Sequence, residues 1–419
     1  MIYHRINVLV KNLSERAVHR NRLTFFVFVA LCVSIRAHAD LKSWSVIPEL
    51  TSVGDFEDKY LLNLRPTIGF KWQSEVSFFK DISVSVEARL RADTQSEFVS
   101  TGKSYEFKGD HAYLQWQGNR ASVGLGLQKY TWGDSAFFDG VDFLNPRDLT
   151  EPLYSDDEQT KIAVPSVNLQ YLGDNTVFQT VVTLKASRSP FERSFNGISV
   201  EKPADRRWIA DSEFGLKAGG LLKNGWDING YLLSYFERVP QFYLSGSPQT
   251  GFAFKVNEPR VFSMGLSATQ SAGDFVFRSE FALHSNRALP DQGAMLRSRS
   301  DQAVFHATLD ATAFSDLLTT FEFWREHWFS KKSTNFLPDS MLGGLRTQKS
   351  FWNGRFEPAA GVLLSPDRKE RWSYVRAQLK PYDSLQLSAE LHWAQTSTGR
   401  VLARRGLRNL IRSSISFQF

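Results

Sequence analysis

Three histidines stand close to carboxylates along the chain: His284 near Glu280, His327 beside Glu326, and His392 near Glu390. A histidine oriented by a carboxylate can activate a hydroxyl or a water for hydrolysis, provided the nucleophile lies within hydrogen-bond reach. No serine occupies a recognisable nucleophile setting beside any of the three. On a strand, such neighbouring pairs hold a polar wall together more often than they break bonds. No catalytic residue is assigned, and an enzyme is not expected. Metal chemistry has no H-E-x-x-H, calcium loop or cysteine cluster to stand on. Asp156, Asp157 and Glu158 could touch Ca²⁺ at a surface, but three adjacent acids do not make a cage. No metal site and no cofactor are expected.

The same histidines fall into a wider polar set with a fixed spacing. In "DISVSVEARLR", Glu87, Arg89 and Arg91 share one face with two serines, and Ile82, Val84, Val86 and Leu90 share the other. In "FVFRSEFALH", Arg278, Glu280 and His284 oppose Phe275, Phe277, Phe281 and Leu283; in "SLQLSAELHW", Glu390 and His392 oppose Leu385, Leu387, Leu391 and Trp393. The period is two, the signature of strands. Arg65, Lys71, Lys185, Arg376, Lys380 and Arg412 join the polar set by the same count. Its basic residues outnumber its acids, which in a channel lining favours anions. Cross-strand pairing that merely holds a polar wall together is an equal alternative.

The elements that must position these residues are short paired strands. Gly173-Asp174, Lys223-Asn224-Gly225, Ala272-Gly273-Asp274 and Lys380-Pro381-Tyr382-Asp383 separate alternating runs as hairpin connections. The other strand ends are joined by longer polar segments, near 93–109, 187–207, 237–258, 286–301, 329–340 and 395–406. Aromatic residues recur near strand ends: Trp72, Trp116, Tyr130, Trp132, Trp208, Trp226, Tyr235, Trp372 and Trp393. Past residue 39 no apolar run is long enough to span a bilayer as a helix. The expected fold is all-β, a transmembrane antiparallel barrel of the outer-membrane type with aromatic girdles, rather than a soluble sandwich. Residues 59–419 form it, and 40–58 are a periplasmic segment or a first strand. About seventeen alternating runs are visible, and termini on one side require an even number, so sixteen and eighteen both stay open.

Residues 1–39 read as a removable signal peptide: a basic region, the apolar run 23–35, then Ala37-His38-Ala39. Cleavage is expected before Asp40. It would remove Cys32, the chain's one cysteine, and six basic residues against one acid, so most of the formal +6 charge is not a property of the mature chain. Nucleic acid is accordingly not an expected partner. The chain ends Ile415-Ser416-Phe417-Gln418-Phe419, an alternating strand whose Ile415, Phe417 and Phe419 would face lipid. A terminal Phe on such a strand resembles the signal by which the outer-membrane assembly machinery accepts its substrates.

The longest connection, 132–160, is both acidic and apolar: Asp134, Asp139, Asp142, Asp148, Glu151 and Asp156–Glu158 alternate with Trp132, Phe137, Phe138, Phe143 and Leu144. Its apolar residues favour a segment folded inward, narrowing the bore or capping its mouth, over an acidic loop in solvent. The order Gly126-x-Gln128, Trp132-Gly133, Asp142-x-x-Asn145-Pro146-x-Asp148, Lys161-x-x-x-Pro165 resembles a widespread family of proteobacterial outer-membrane proteins of unknown function. The resemblance implies an outer-membrane barrel, in some members linked with uptake or export of hydrophobic or organic compounds. It supplies no catalytic residue. The expectation is a Gram-negative outer-membrane channel for small solutes, anionic or organic, with Trp132, Asp142, Asn145, Pro146 and Asp148 at the constriction. The alternative is a non-conducting barrel that anchors an envelope or export complex. Membrane lipid and lipopolysaccharide, the assembly machinery, and further copies or an envelope complex are the expected partners.

Overall fold

In hydrocarbon no water competes for backbone N–H and C=O groups, so a sheet can cross only if its edges are joined. The computed structural model meets that requirement. It describes residues 44–55, 63–76, 79–92, 105–133, 140–148, 160–189, 194–195, 198–199, 203–238, 241–247, 251–288, 299–313, 316–329, 339–366, 369–395 and 409–417. Residues 1–39, with the expected cleavage site, lie outside these, as do the tip of the long connection and Phe419.

The strands in order are β1 (Trp44–Asp55), β2 (Asn63–Val76), β3 (Phe79–Ala92), β4 (Tyr105–Gln117), β5 (Ala121–Gln128), β6 (Val164–Leu172), β7 (Thr176–Thr183), β8 (Ser194–Phe195), β9 (Ile198–Ser199), β10 (Phe214–Leu221) and β11 (Trp226–Phe236). They continue as β12 (Gln241–Ser247), β13 (Gly251–Asn257), β14 (Arg260–Ala272), β15 (Phe275–Ala288), β16 (Arg299–Ala313), β17 (Leu317–Trp328), β18 (Asp339–Lys349), β19 (Phe356–Leu364), β20 (Arg371–Tyr382), β21 (Leu385–Gln395) and β22 (Leu410–Phe417). Eighteen of them form one antiparallel sheet; β8–β9 and β12–β13 are separate hairpins within connections of that sheet. β1 pairs with β2 on one side and β22 on the other, from Glu49 opposite Ser416 to Asp55 opposite Leu410, and this closes the barrel. The open choice between sixteen and eighteen strands resolves to eighteen because Trp44–Asp55 is the first strand. No helix long and apolar enough to cross a membrane occurs among the described residues.

Side-chain alternation runs opposite to that of a soluble protein. Along β14, Val261, Ser263 and Ser267 are buried while Phe262, Met264 and Leu266 point out, Leu266 being 58% exposed. Along β17, Thr320, Glu322, Trp324 and Glu326 are buried and Phe321 and Phe323 are exposed. Large apolar side chains face the surroundings and polar ones face the bore, as a lipid-facing wall demands. Ile411 and Ile415 of β22 are on the outer face, and Arg412 and Ser414 are buried on the inner one.

The aromatic girdle is narrower than the sequence suggests. Trp116, Trp208 and Trp393 are exposed, but Tyr130, Trp132, Tyr235 and Trp372 are buried inside. Position near a strand end does not fix the face; parity does. Trp372 shares its parity with Tyr374 and Arg376, and so points inward with them.

Candidate functional site

The described residues of the connection between β5 and β6, 129–133, 140–148 and 160–163, pack inside the barrel. The loop's Tyr130, Trp132, Val141 and Leu144 pack with Val181 of β7, Tyr231, Leu233 and Tyr235 of β11, Val261 of β14 and Ala282 of β15. These wall residues all lie on the inner face, so the loop crosses from its own hairpin to the strands beyond. Phe143 stacks on Tyr235 (centroids 5.0 Å apart, 14° between planes) and meets His284 edge-on at 5.0 Å. Among the described residues, the loop's apolar side chains that would be costly in water are thereby covered.

Two glycines give the loop room. A Cβ at Gly215 would stand 2.7 Å from the Trp132 ring and 2.9 Å from Leu144; one at Gly265 would stand 2.5 Å from Val141. Polar clamps then fix it. Gly140 N–H donates to Glu280 Oε2 at 3.0 Å. Arg238, just past β11, donates to the carbonyls of Phe143 (2.9 Å) and Leu144 (2.7 Å), and pairs with Glu213 at 2.9 Å.

The residues of the loop motif hold it together rather than presenting themselves to the bore. Asn145 accepts Tyr130 N–H at 2.6 Å and donates to the carbonyls of Gln128 (3.2 Å) and Ile162 (2.8 Å). Asp142 pairs with Lys161 at 2.6 Å, and both are buried. The Pro146 carbonyl accepts Ile162 N–H, and Asp148 N–H donates to the Thr160 carbonyl, both at 2.8 Å. Asp142, Asn145, Pro146 and Asp148 are buried in the framework of the loop expected to form the constriction. Phe137, Phe138 and the acids at 134, 139, 151 and 156–158 lie outside the described residues.

Glu87, Arg89, Arg278, Glu280, His284, Glu390, His392 and Arg412 lie on the inner face of the wall, and much of this charge is paired; Lys185, past the end of β7, instead carries its ammonium 5.7 Å from the ring of the exposed Trp208. Arg89 pairs with Asp110, which also takes Lys129 at 2.7 Å. Arg278 pairs with Asp310. Lys71 and His111 each stand 3.7 Å from Glu87. Arg412 lies 3.7 Å from Glu49 and 3.9 Å from Glu390, which in turn meets His392 at 3.0 Å. Arg65 is buried on the inner face, and Arg91 and Arg376 are half-buried there. The acids that complete these pairs, Asp110 and Asp310, carry no marker in the sequence beyond their parity.

The histidines do not assemble a shared centre. His284 is buried under Phe143 with its Nδ1 2.5 Å from Ser263 Oγ. His392 is stacked on Trp372 and Tyr374. His327 pairs with Asp339 at 2.9 Å, not with Glu326, which points to the opposite face and accepts from Gln302 at 2.7 Å. Among the described residues no three His, Cys, Asp or Glu side chains could hold a metal ion together; Asp156–Glu158 lie outside them.

Beside the loop lies a cavity of about 350 Å³ lined by His111, Tyr113, Gln115, Gln128, Lys129, Tyr130, Trp132, Asn168, Gln179 and Lys217, among others. Trp132 Nε1–H donates to Gln179 Oε1 at 3.0 Å, and the Lys217 ammonium lies 5.7 Å from the Tyr231 ring centroid. Burial holds the Tyr130 phenol well above its ordinary range, so it enters the cavity as a neutral group bonded to Ser166 at 2.7 Å. No motif in the sequence marks Lys129, Lys217 or the side-chain amides of Gln115, Asn168 and Gln179. Lys217 on the inner face of β10 follows from parity alone; Lys129 does not, since it lies past the end of β5.

A closed barrel of eighteen antiparallel strands, apolar outside and polar within, with a loop folded into its bore, is a barrel of the outer-membrane porin type. Within that class the chain belongs to the protein family of unknown function DUF1302, whose profile matches residues 85–399. Its fold is similar to that of OpdK of Pseudomonas aeruginosa, solved with vanillate (TM-score 0.55, 9% identity, covering 90% of this chain and 98% of that one). It is also similar to OccK5 (OpdH) of the same organism (0.54, 9%, 90% and 96%) and to OccAB3 of Acinetobacter baumannii (0.53, 10%, 90% and 98%). At these identities the likeness is one of fold. No curated protein matches the chain.

Proposed function

We propose that the protein is an outer-membrane channel for small organic anions, narrowed by the loop between β5 and β6. The observation that carries this reading is the clamped loop with the cavity beside it. A segment fixed across the bore by Arg238 and Glu280 leaves a space bordered by two lysines, side-chain amides and aromatic rings. Such a lining suits a compact solute with an anionic group and an apolar body. The vanillate bound to OpdK, an aromatic carboxylate, is a solute of this kind. In this reading the rim of short turns is periplasmic and the rim of long connections faces outward.

Reconstitution in planar bilayers tests it. Discrete, stable conductance with a reversal potential displaced toward the anion is expected, and vanillate should block or modulate the current. Folded protein that conducts nothing would sink the channel and favour a barrel that anchors an envelope complex. That rival draws on the second apolar cluster in the bore, where Trp324, Leu342, Leu363, Trp372 and Tyr374 are buried together.

A further inference from the structure

The connection between β7 and β10 carries a surface outside the bore. Ile209 N–H donates to the Leu184 carbonyl at 2.7 Å and Ala186 N–H to that of Asp211 at 3.0 Å, so this stretch lies along the continuation of β7 at the long-loop rim. It turns Trp208 and Ile209 outward, 61% and 77% exposed, the latter the most exposed large apolar side chain among the described residues. Ile209 has φ +62°. A β-branched residue avoids that region, so the chain accepts a conformational cost to hold an apolar side chain there.

Cations surround the pair. The Lys185 ammonium lies 5.7 Å from the Trp208 ring centroid, and Arg206 and Arg260 lie 3.5 and 4.3 Å from that of Phe236. Arg207 is exposed. Arg260 opens β14 on its outer face, in line with Phe262, Met264 and Leu266 of the apolar belt. A cavity of about 570 Å³ opens beside it, with Arg188, Arg206, Arg207 and Lys255 in its lining. Of the acids there, Glu258 is held by Arg188 (2.7 Å) and Arg206 (2.8 Å), and Asp211 accepts the backbone N–H of Arg207 at 2.7 Å and stands 3.8 Å from its exposed guanidinium. Asp205 is the third. The cluster keeps an excess of positive charge directly above an apolar surface.

We propose that this surface binds a phosphorylated, multiply acylated glycolipid of the outer leaflet, the chemistry of lipid A: Arg207 and Arg260 take a phosphate, and Trp208 and Ile209 enter among the acyl chains. Guanidinium groups meet phosphate through paired, charge-assisted hydrogen bonds. Aromatic side chains at this depth sit between headgroup and hydrocarbon. The proposal rests on the outer-membrane reading and is independent of conduction.

Native mass spectrometry of the detergent-solubilised full-length protein tests it with four probes: bisphosphorylated hexa-acyl lipid A, its dephosphorylated form, phosphatidylglycerol and inorganic phosphate. Saturable binding of the first is expected, with the other three weaker by about tenfold or more, and an Arg207→Gln/Arg260→Gln chain should lose about tenfold or more in lipid A affinity. Arg260 also donates to the Ser212 carbonyl at 3.0 Å. Arg207→Gln alone is therefore the second variant, its fold checked by a heat-dependent gel shift. Equal binding of phosphatidylglycerol, binding of inorganic phosphate alone, or unchanged lipid A affinity in folded Arg207→Gln would each overturn the site. Failure of the outer-membrane reading would register separately, as recovery of the protein from the soluble fraction.

Discussion

Arg238 makes four guanidinium hydrogen bonds, to the carbonyls of Phe143, Leu144 and Ser187 and to the Glu213 carboxylate. Glu213 is fully buried, so removing its partner strands a charge away from water. Arg238→Met should cost about 3–5 kcal/mol in chemical unfolding from detergent micelles. Adding Glu213→Gln should recover much of that stability, because no buried charge is then left over. It should not restore the seating of the loop, whose two carbonyls still lack their donor, and conductance should stay above wild type in both variants. A loss under about 1 kcal/mol for the single variant would place Arg238 outside the framework. The sequence gives no hint of this residue: its loop partners are some ninety positions away, and Arg and Glu are common types. Asn145-Pro146 is visible as a motif because its partners lie within the same connection or at its edge, on Gln128. Its role still escapes the sequence, since the same motif could present polar atoms to the bore or turn them inward on the loop. Asn145 does the second, with three bonds to backbone.

At the scale of the element, the wall and the loop separate cleanly. Strands such as β3, β15 and β21 are legible because lipid and bore impose opposite solvents on alternate residues, leaving a strict period of two. β1 is harder to read: "WSVIPELTSVGD" carries Pro48 and Gly54, both poor strand residues, and it is paired along both edges by β2 and β22. The bend of the loop into the bore is only half legible. Its apolar residues argue for cover, but the cover comes from β7, β11, β14 and β15, which no local pattern names. Gly215 makes that contact testable. Gly215→Val supplies a better strand former, so the ladders with β7 and β11 should persist, while its side chain takes the space of Trp132 and Leu144. The expected result is an intact, heat-modifiable barrel with a displaced loop, faster proteolysis within 132–160 and a larger single-channel conductance. Wild-type protease resistance together with wild-type conductance would mean the close approach at Gly215 does not seat the loop.

At the scale of the whole molecule, everything depends on one seam. The β1–β22 pairing joins residues 355 to 367 positions apart, and without it the sheet would present two open edges to lipid, which hydrocarbon does not tolerate. Two contacts cross that seam on opposite faces: Arg412 reaches Glu49 inside at 3.7 Å, and Ser52 Oγ stands 2.7 Å from Ser413 Oγ. The serines offer a direct probe. Paired residues across antiparallel strands have the Cα separation a disulfide needs. In a Cys32→Ser background, Ser52→Cys/Ser413→Cys should therefore oxidise readily once the barrel has folded and yield a chain joined near both ends. On non-reducing gels the boiled, oxidised protein should migrate differently from its reduced form. Either single cysteine variant should show no such difference, and neither should the double variant oxidised in denaturant at low yield of folded barrel. The crosslink should also raise the temperature at which the folded band is lost, because a loop this long costs much entropy to close in the unfolded chain. If the folded double variant resists oxidation while remaining heat-modifiable, the first and last strands are not neighbours, and the barrel closes through another pair.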